Sequence, residues 1–188
     1  MRDHYVIAIL TITWGFIFNP TAVPQERNGK VAVKPLVTLH GENSKIAEPR
    51  FVRITSEKDW QALWYEHKNG SPDCQHFDYT DMEIDFEKMM VVAVFGGKVG
   101  MTSGYPFDSG FEDRKQIILR ICTLGYQLLN PDAKAVERAF RSQPWGIYVF
   151  PRSDKEIVLE RDDRRLLTQP PKWVKWKTLP AQPPSTKD

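Results

Sequence analysis

The chain has 188 residues, 41% of them hydrophobic and 27% charged, with a formal net charge of +2. That length holds one ordinary domain with tails, and that composition is globular rather than disordered. A charge so near neutral excludes the strong basic field expected of a protein that steers nucleic acid.

Arg2 and the terminal amine precede an apolar run from Val6 to Phe18, and Asn19-Pro20 breaks it. A charged start, a short apolar run and a breaker describe a secretory signal peptide over residues 1–25, or an N-terminal anchor where it stays uncleaved. The run is short for a membrane-spanning helix. Ala22 is the best nearby candidate for the residue before a cut, and no lipobox cysteine follows. The expected location is therefore secreted, periplasmic or otherwise in the cell envelope, with membrane contact only through an uncleaved N-terminal segment. An oxidising compartment would let Cys74, in a polar loop, bridge to Cys122, in a strand pattern; the alternative is two free thiols with Cys122 a small core residue.

Residues 26–163 read as one β-rich domain. Val31, Val33, Val37 and Leu39 alternate around Pro35, which suits an edge strand. Phe51 to Ile54 makes a short strand. Ser56 then opens the clearest helix: it is an N-cap, with Asp59 at the capping-box position, and Trp60, Leu63, Trp64 and His67 follow helical spacing up to Asn69-Gly70. This stripe reads as a face packed on a sheet, with His67 at its boundary. Met89 to Phe95 is a continuous apolar, β-branched run, the pattern of a central strand covered on both faces. Four glycines between residues 96 and 104 predict a turn or flexible loop. Tyr105 and Phe107 resume an extended segment, and Ile117, Leu119 and Ile121 alternate as another strand. Asn130-Pro131-Asp132 predicts a second helix near residues 131–141. Trp145 to Phe150 and Glu156 to Leu159 read as a closing hairpin turned by residues 151–155. Residues 164–188 form a Pro/Trp-rich tail with the periodicity of neither helix nor core, for which extended polyproline-like structure is expected. The fold class predicted is α+β: a mainly antiparallel sheet, sandwich-like or a partly closed barrel, with one or two short helices.

Few patterns carry chemistry. Asp73, His76, Asp78, Asp81, Glu83 and Asp85 crowd one loop, but their spacing matches no calcium loop, and Cys74 and His76 stand too close for a zinc pair. No metal and no cofactor are expected: phosphate-binding and dinucleotide glycine motifs are absent from the sequence. A nucleophilic site needs a positioned histidine, and past the leader only His40, His67 and His76 remain. Gly100 to Gly104 is not a nucleophile elbow. Lys172 to Lys177 interleaves cations with Trp173 and Trp176, which could dock on a partner or fold back over the domain.

The middle of the chain resembles the C-terminal domain of the PrcB protease-complex subunit family. The likeness spans about residues 51–159. It rests on the Ser56-to-Asp59 helix opening with Trp60, Leu63 and Trp64, then Ile84-Asp85-Phe86, then Met90 to Gly96. Thr102-Ser103-Gly104-Tyr105 follows, where the family has a threonine, two glycines and a tyrosine, and Gln143-Pro144-Trp145 leads into Ile147 to Val149. The resemblance implies an exported, β-rich domain that acts through protein contacts, with a protease as the partner class, and it carries over no catalytic residue. Thr102, Ser103, Gly104 and Tyr105, together with Trp173 and Trp176 of the tail, are the candidate partner-binding residues. The function expected is a non-catalytic protein-binding domain, accessory to or inhibitory of a protease. Its alternatives are a hydrolase with an unrecognised site and a structural envelope protein.

Overall fold

The computed structural model describes residues 30–68, 83–123, 125, 136–137, 141–164 and 169–183. The described elements run in the order β1 (Val31–Ala32), β2 (Val37–Gly41), β3 (Arg50–Ile54), α1 (Glu57–Lys68), β4 (Met89–Phe95), β5 (Phe107–Glu112), β6 (Gln116–Ile121), β7 (Trp145–Pro151), β8 (Glu156–Asp162) and β9 (Trp173–Leu179). They form a four-stranded sheet, β2-β7-β4-β3, and a five-stranded sheet, β1-β5-β6-β8-β9. Neither sheet closes into a barrel, so the α+β sandwich is the form the fold takes.

The layers follow from side-chain alternation. Successive residues of a strand point to opposite faces. Met90, Val92, Val94, Tyr148 and Phe150 of the four-stranded sheet pack against Ile117, Leu119, Ile121, Ile157 and Leu159 of the other sheet. The odd-numbered set, Val91, Ala93, Phe95, Ile147 and Val149, packs against Trp60, Leu63 and Trp64 of α1. The four-stranded sheet is thus the middle of three layers. This explains the unbroken apolar run of β4: Met90 to Phe95 is buried throughout because both faces are covered.

Helix α1 forms where the sequence puts it. The Asp59 N–H donates to Ser56 Oγ at 3.2 Å, and the Ser56 hydroxyl donates to Asp59 Oδ2 at 2.7 Å. Glu57 and Asp59 in the first turn and Lys68 in the last complement the helix dipole. Arg50 of β3 grips Glu66 with both Nη atoms, at 2.6 and 2.8 Å, and ties the helix to the edge of the sheet.

Four expectations are corrected by the structure. The segment around Pro35 is not one edge strand. β1 pairs with β5 in one sheet and β2 with β7 in the other, and Pro35 lies in the crossing between them. β7 and β8 do not form a hairpin, because they belong to different sheets. Their corner is pulled apart by polar contacts to other elements: the Arg152 N–H donates to Lys88 O at 2.7 Å, Arg152 Nη1 donates to Phe86 O, and Arg53 Nη2 donates to Lys155 O. Lys155 Nζ completes the clasp, reaching Glu112 Oε1 and Asp113 O at 2.7 Å each. As a result β6 and β8 run parallel, linked through β7 of the opposite sheet. Nor are residues 173–179 part of a loose tail, since β9 pairs antiparallel with β8 from Ile157↔Leu179 to Asp162↔Trp173. Finally, His67 is not a boundary residue; it is fully buried. Of the second helix, Val136 and Glu137 are described and helical. The leader, the acidic loop up to Asp81 and Cys74 lie outside the described residues.

Candidate functional site

The residues expected to meet a partner divide sharply in this fold. Thr102, Gly104 and Tyr105 are buried, and Ser103 is half-buried. The Thr102 hydroxyl donates to Gly100 O at 3.4 Å, inside its own loop, and its N–H faces Ser142 Oγ at 3.5 Å. Gly104 has φ +133°, a backbone that side chains disfavour, and a Cβ there would sit 2.9 Å from the Gly41 nitrogen. Tyr105 turns its ring into the inter-sheet core and over Gly96, where a Cβ would come within 2.1 Å of the phenol oxygen. Its carbonyl accepts the Tyr148 hydroxyl. Burial pushes the Tyr148 phenol well above its ordinary range, with Tyr105 and Cys122 adding to the effect, so it remains a donor. This glycine loop thus fastens the two sheets to each other through Tyr105.

The tryptophans of β9 part company. Trp176 is half-buried and meets Phe51 edge-on at 4.9 Å and Tyr105 at 5.2 Å, which fastens β9 over the core. Trp173 instead stands on the outer face of the five-stranded sheet. There the Arg120 guanidinium lies 5.2 Å from the Phe111 ring and 5.2 Å from the Trp173 ring, and its Nε donates to Glu160 Oε2 at 3.0 Å. Three strands, β5, β6 and β9, and the Glu160 carboxylate from β8 thus hold one arginine in place. A guanidinium capped by aromatic rings and oriented through Nε keeps its two Nη groups for an outside acceptor.

Sequence reasoning missed Arg120 and Phe111. The signal was the outward position of Arg120 between inward Leu119 and Ile121, but only strand order reveals which rings flank it.

A serine–histidine pair also emerges that the sequence did not suggest. His67 Nδ1 lies 2.9 Å from Ser44 Oγ. That distance suits a nucleophile and its base, but both residues are sealed: His67 is 0% and Ser44 3% exposed. The ring is enclosed by Trp64, Phe95 and Trp145, at centroid distances of 5.5, 5.5 and 4.5 Å. Ser44 Oγ also accepts the Ile46 N–H at 3.0 Å. The pair satisfies polar groups inside a core, where an unpaired one would be costly. His40 is exposed on β2, and His76 lies outside the described residues.

Cys122 is a free thiol at the end of β6, half-buried, with its Sγ 3.8 Å from Asp108 Oδ1. Burial raises its pKa and the Asp108 carboxylate raises it further, which makes the thiolate scarce. Along the adjoining strand β5, Val33, Pro35, Phe107 and Phe111 line an apolar groove of about 290 Å³ that also takes in Asp108. Of the acidic loop, Glu83 and Asp85 are described: Glu83 is exposed, and Asp85 accepts the Glu87 N–H and pairs with Lys88 at 2.7 Å. Among the described residues no three His, Cys, Asp or Glu side chains converge on a point where a metal could sit, and no helix is long and apolar enough to cross a membrane. No protein-family model, no curated protein and no solved structure matches this chain.

Proposed function

We propose that this chain is an exported, non-catalytic protein-binding domain, working beside a protease as an accessory subunit or inhibitor. The observation that carries this reading is the outer face of the five-stranded sheet. Helix α1 and the second sheet cover the four-stranded sheet on both sides, while the far side of the five-stranded sheet displays Phe111, Arg120 and Trp173 as one fixed stack. Arginine and large aromatic residues carry a disproportionate share of the binding energy at protein interfaces, because they present wide contact area at little entropic loss. Export rests on the leader-like run from Val6 to Phe18, and the protease as partner class rests on the resemblance of residues 51–159 to the PrcB family.

The test is affinity capture from the exported protein fraction with residues 26–188 as bait, run beside an Arg120→Ala/Trp173→Ala double variant. The expected result is a salt-resistant partner, a protease or a protease-bound protein, that the native chain retains and the variant loses. Equal capture by both would reject this face as the binding surface. A native bait that retains nothing above a blank resin would reject the protein-binding reading itself.

A further inference from the structure

The edge of the five-stranded sheet adds something the flat face does not. β9 is the last strand of that sheet, and among the described residues no strand pairs with its outer edge. The unpaired edge of this seven-residue strand, buried only at its Leu179 end, offers backbone donors and acceptors to another extended chain. Its charge is one-sided. Arg161, Lys172, Lys175 and Lys177 are all exposed, and no carboxylate lies within ion-pair distance of any of them among the described residues.

Of the three acids nearest that edge, Asp163 is exposed beside Lys172 and the other two are engaged. Glu160, directly opposite Lys175 in the ladder, is held by Arg120, and Asp162 is held by Arg164. The arginines of the other sheet's edge strand β3 are spent inside the molecule, Arg50 on Glu66 and Arg53 on the Ser153 and Lys155 carbonyls. A register shift between Leu159 and Glu160 leaves Trp176 as the extra residue of β9. That bulge turns Trp176 onto Phe51 and Tyr105 and leaves Lys175 and Lys177 on either side of it in solvent. Arg161 lies over the same ring, 5.7 Å from its centroid.

Resting on the protein-binding reading above, we infer that the β9 edge receives an extended acidic segment of the partner as an added antiparallel or parallel strand. Main-chain hydrogen bonds supply the attachment and the four cations supply the choice of an acidic sequence. A second copy of this chain is the wrong occupant, because two such edges would set lysine against lysine. Trp173 places the edge beside the Phe111–Arg120 stack, so an acidic strand on β9 would extend one continuous contact with the outer face.

The probe is a capped seven-residue peptide that alternates glutamate or aspartate with valine, read by fluorescence anisotropy on the full chain. A lysine–valine peptide and a copy of the acidic peptide N-methylated at alternate residues are the controls. Binding of the acidic peptide alone is expected, weakened at least tenfold by Lys175→Glu/Lys177→Glu and reduced by added salt. The double variant must keep the native circular dichroism and melting temperature, which its solvent-exposed positions allow. Equal binding of the N-methylated peptide would overturn strand addition in favour of simple charge attraction. No binding of the acidic peptide, while the natural partner is still captured through Arg120 and Trp173, would overturn this inference and leave the protein-binding reading standing. Loss of both would overturn the two together.

Discussion

The two sheets of this protein are built from similar β-branched sequences and do opposite jobs. In the four-stranded sheet, β4 and β7 are buried from Met90 to Phe95 and from Trp145 to Phe150. In the five-stranded sheet, β6 alternates: Ile117, Leu119 and Ile121 are buried while Gln116, Ile118 and Arg120 are half-exposed. The difference is the number of covered faces, and it sorts residue types. Under the helix layer, Ser44 and His67 are buried as a hydrogen-bonded pair. Where one face is open, an arginine can be held between rings and still meet a partner. Under the proposed function, interaction chemistry belongs to the outer sheet and stability to the middle one.

The sharpest break of this contrast lies under the helix. Trp60, 1% exposed between α1 and the middle sheet, is expected to cost about 3–5 kcal/mol when changed to alanine, read by denaturant unfolding. A loss below about 1 kcal/mol would mean that the helix layer is not part of the core. Next, Tyr148→Phe strands the Tyr105 carbonyl between the sheets and should cost about 1–3 kcal/mol by the same measurement. On the open face the expectation reverses: Trp173→Ala should change stability by about 1 kcal/mol or less while abolishing capture of the partner.

Two titrations sharpen the picture further. In a Cys74→Ser chain, alkylation of Cys122 should have its pH midpoint above that of an ordinary thiol, and Asp108→Asn should bring the midpoint down. The smallest effect is that of Arg50 and Glu66. The hydrogen bond from Arg50 holds the Glu66 carboxyl below its ordinary value. A depressed folded-state pKa means that the pair stabilises above the unfolded carboxyl pKa and that this stability is lost as pH falls through the folded one. Both side chains are well exposed, at 38% and 48%, so solvent screening limits the effect to under about 1 kcal/mol. Glu66→Gln should flatten the acid limb of stability by no more than that.

Much of the fold is legible before any coordinates. Helix α1, its Ser56–Asp59 cap and its buried Trp60, Leu63 and Trp64 can be read from spacing, as can the doubly covered strand β4. The candidate site is less legible. Thr102, Gly104 and Tyr105 read equally as a partner surface or as a tight turn with a core tyrosine, and they line the interior, since a glycine beside a tyrosine reads alike whether the ring covers its own chain or a partner's. Arg120 showed locally only as an outward residue between inward Leu119 and Ile121, because its significance lies in Phe111, Glu160 and Trp173 on three other strands.

The sequence by itself determined the elements whose signals are local: the capped amphipathic helix and the period of each long strand, which repeat over a few residues whatever surrounds them. Tertiary structure alone decided the rest. It placed β7 and β8 in different sheets, drew residues 173–179 into the outer sheet, enclosed His67 in rings, and set Arg120 between Phe111 and Trp173. Each of these depends on which distant strand lies alongside, and an open backbone edge accepts any chain of suitable register until packing of side chains such as Trp176 on Phe51 and Tyr105 selects one.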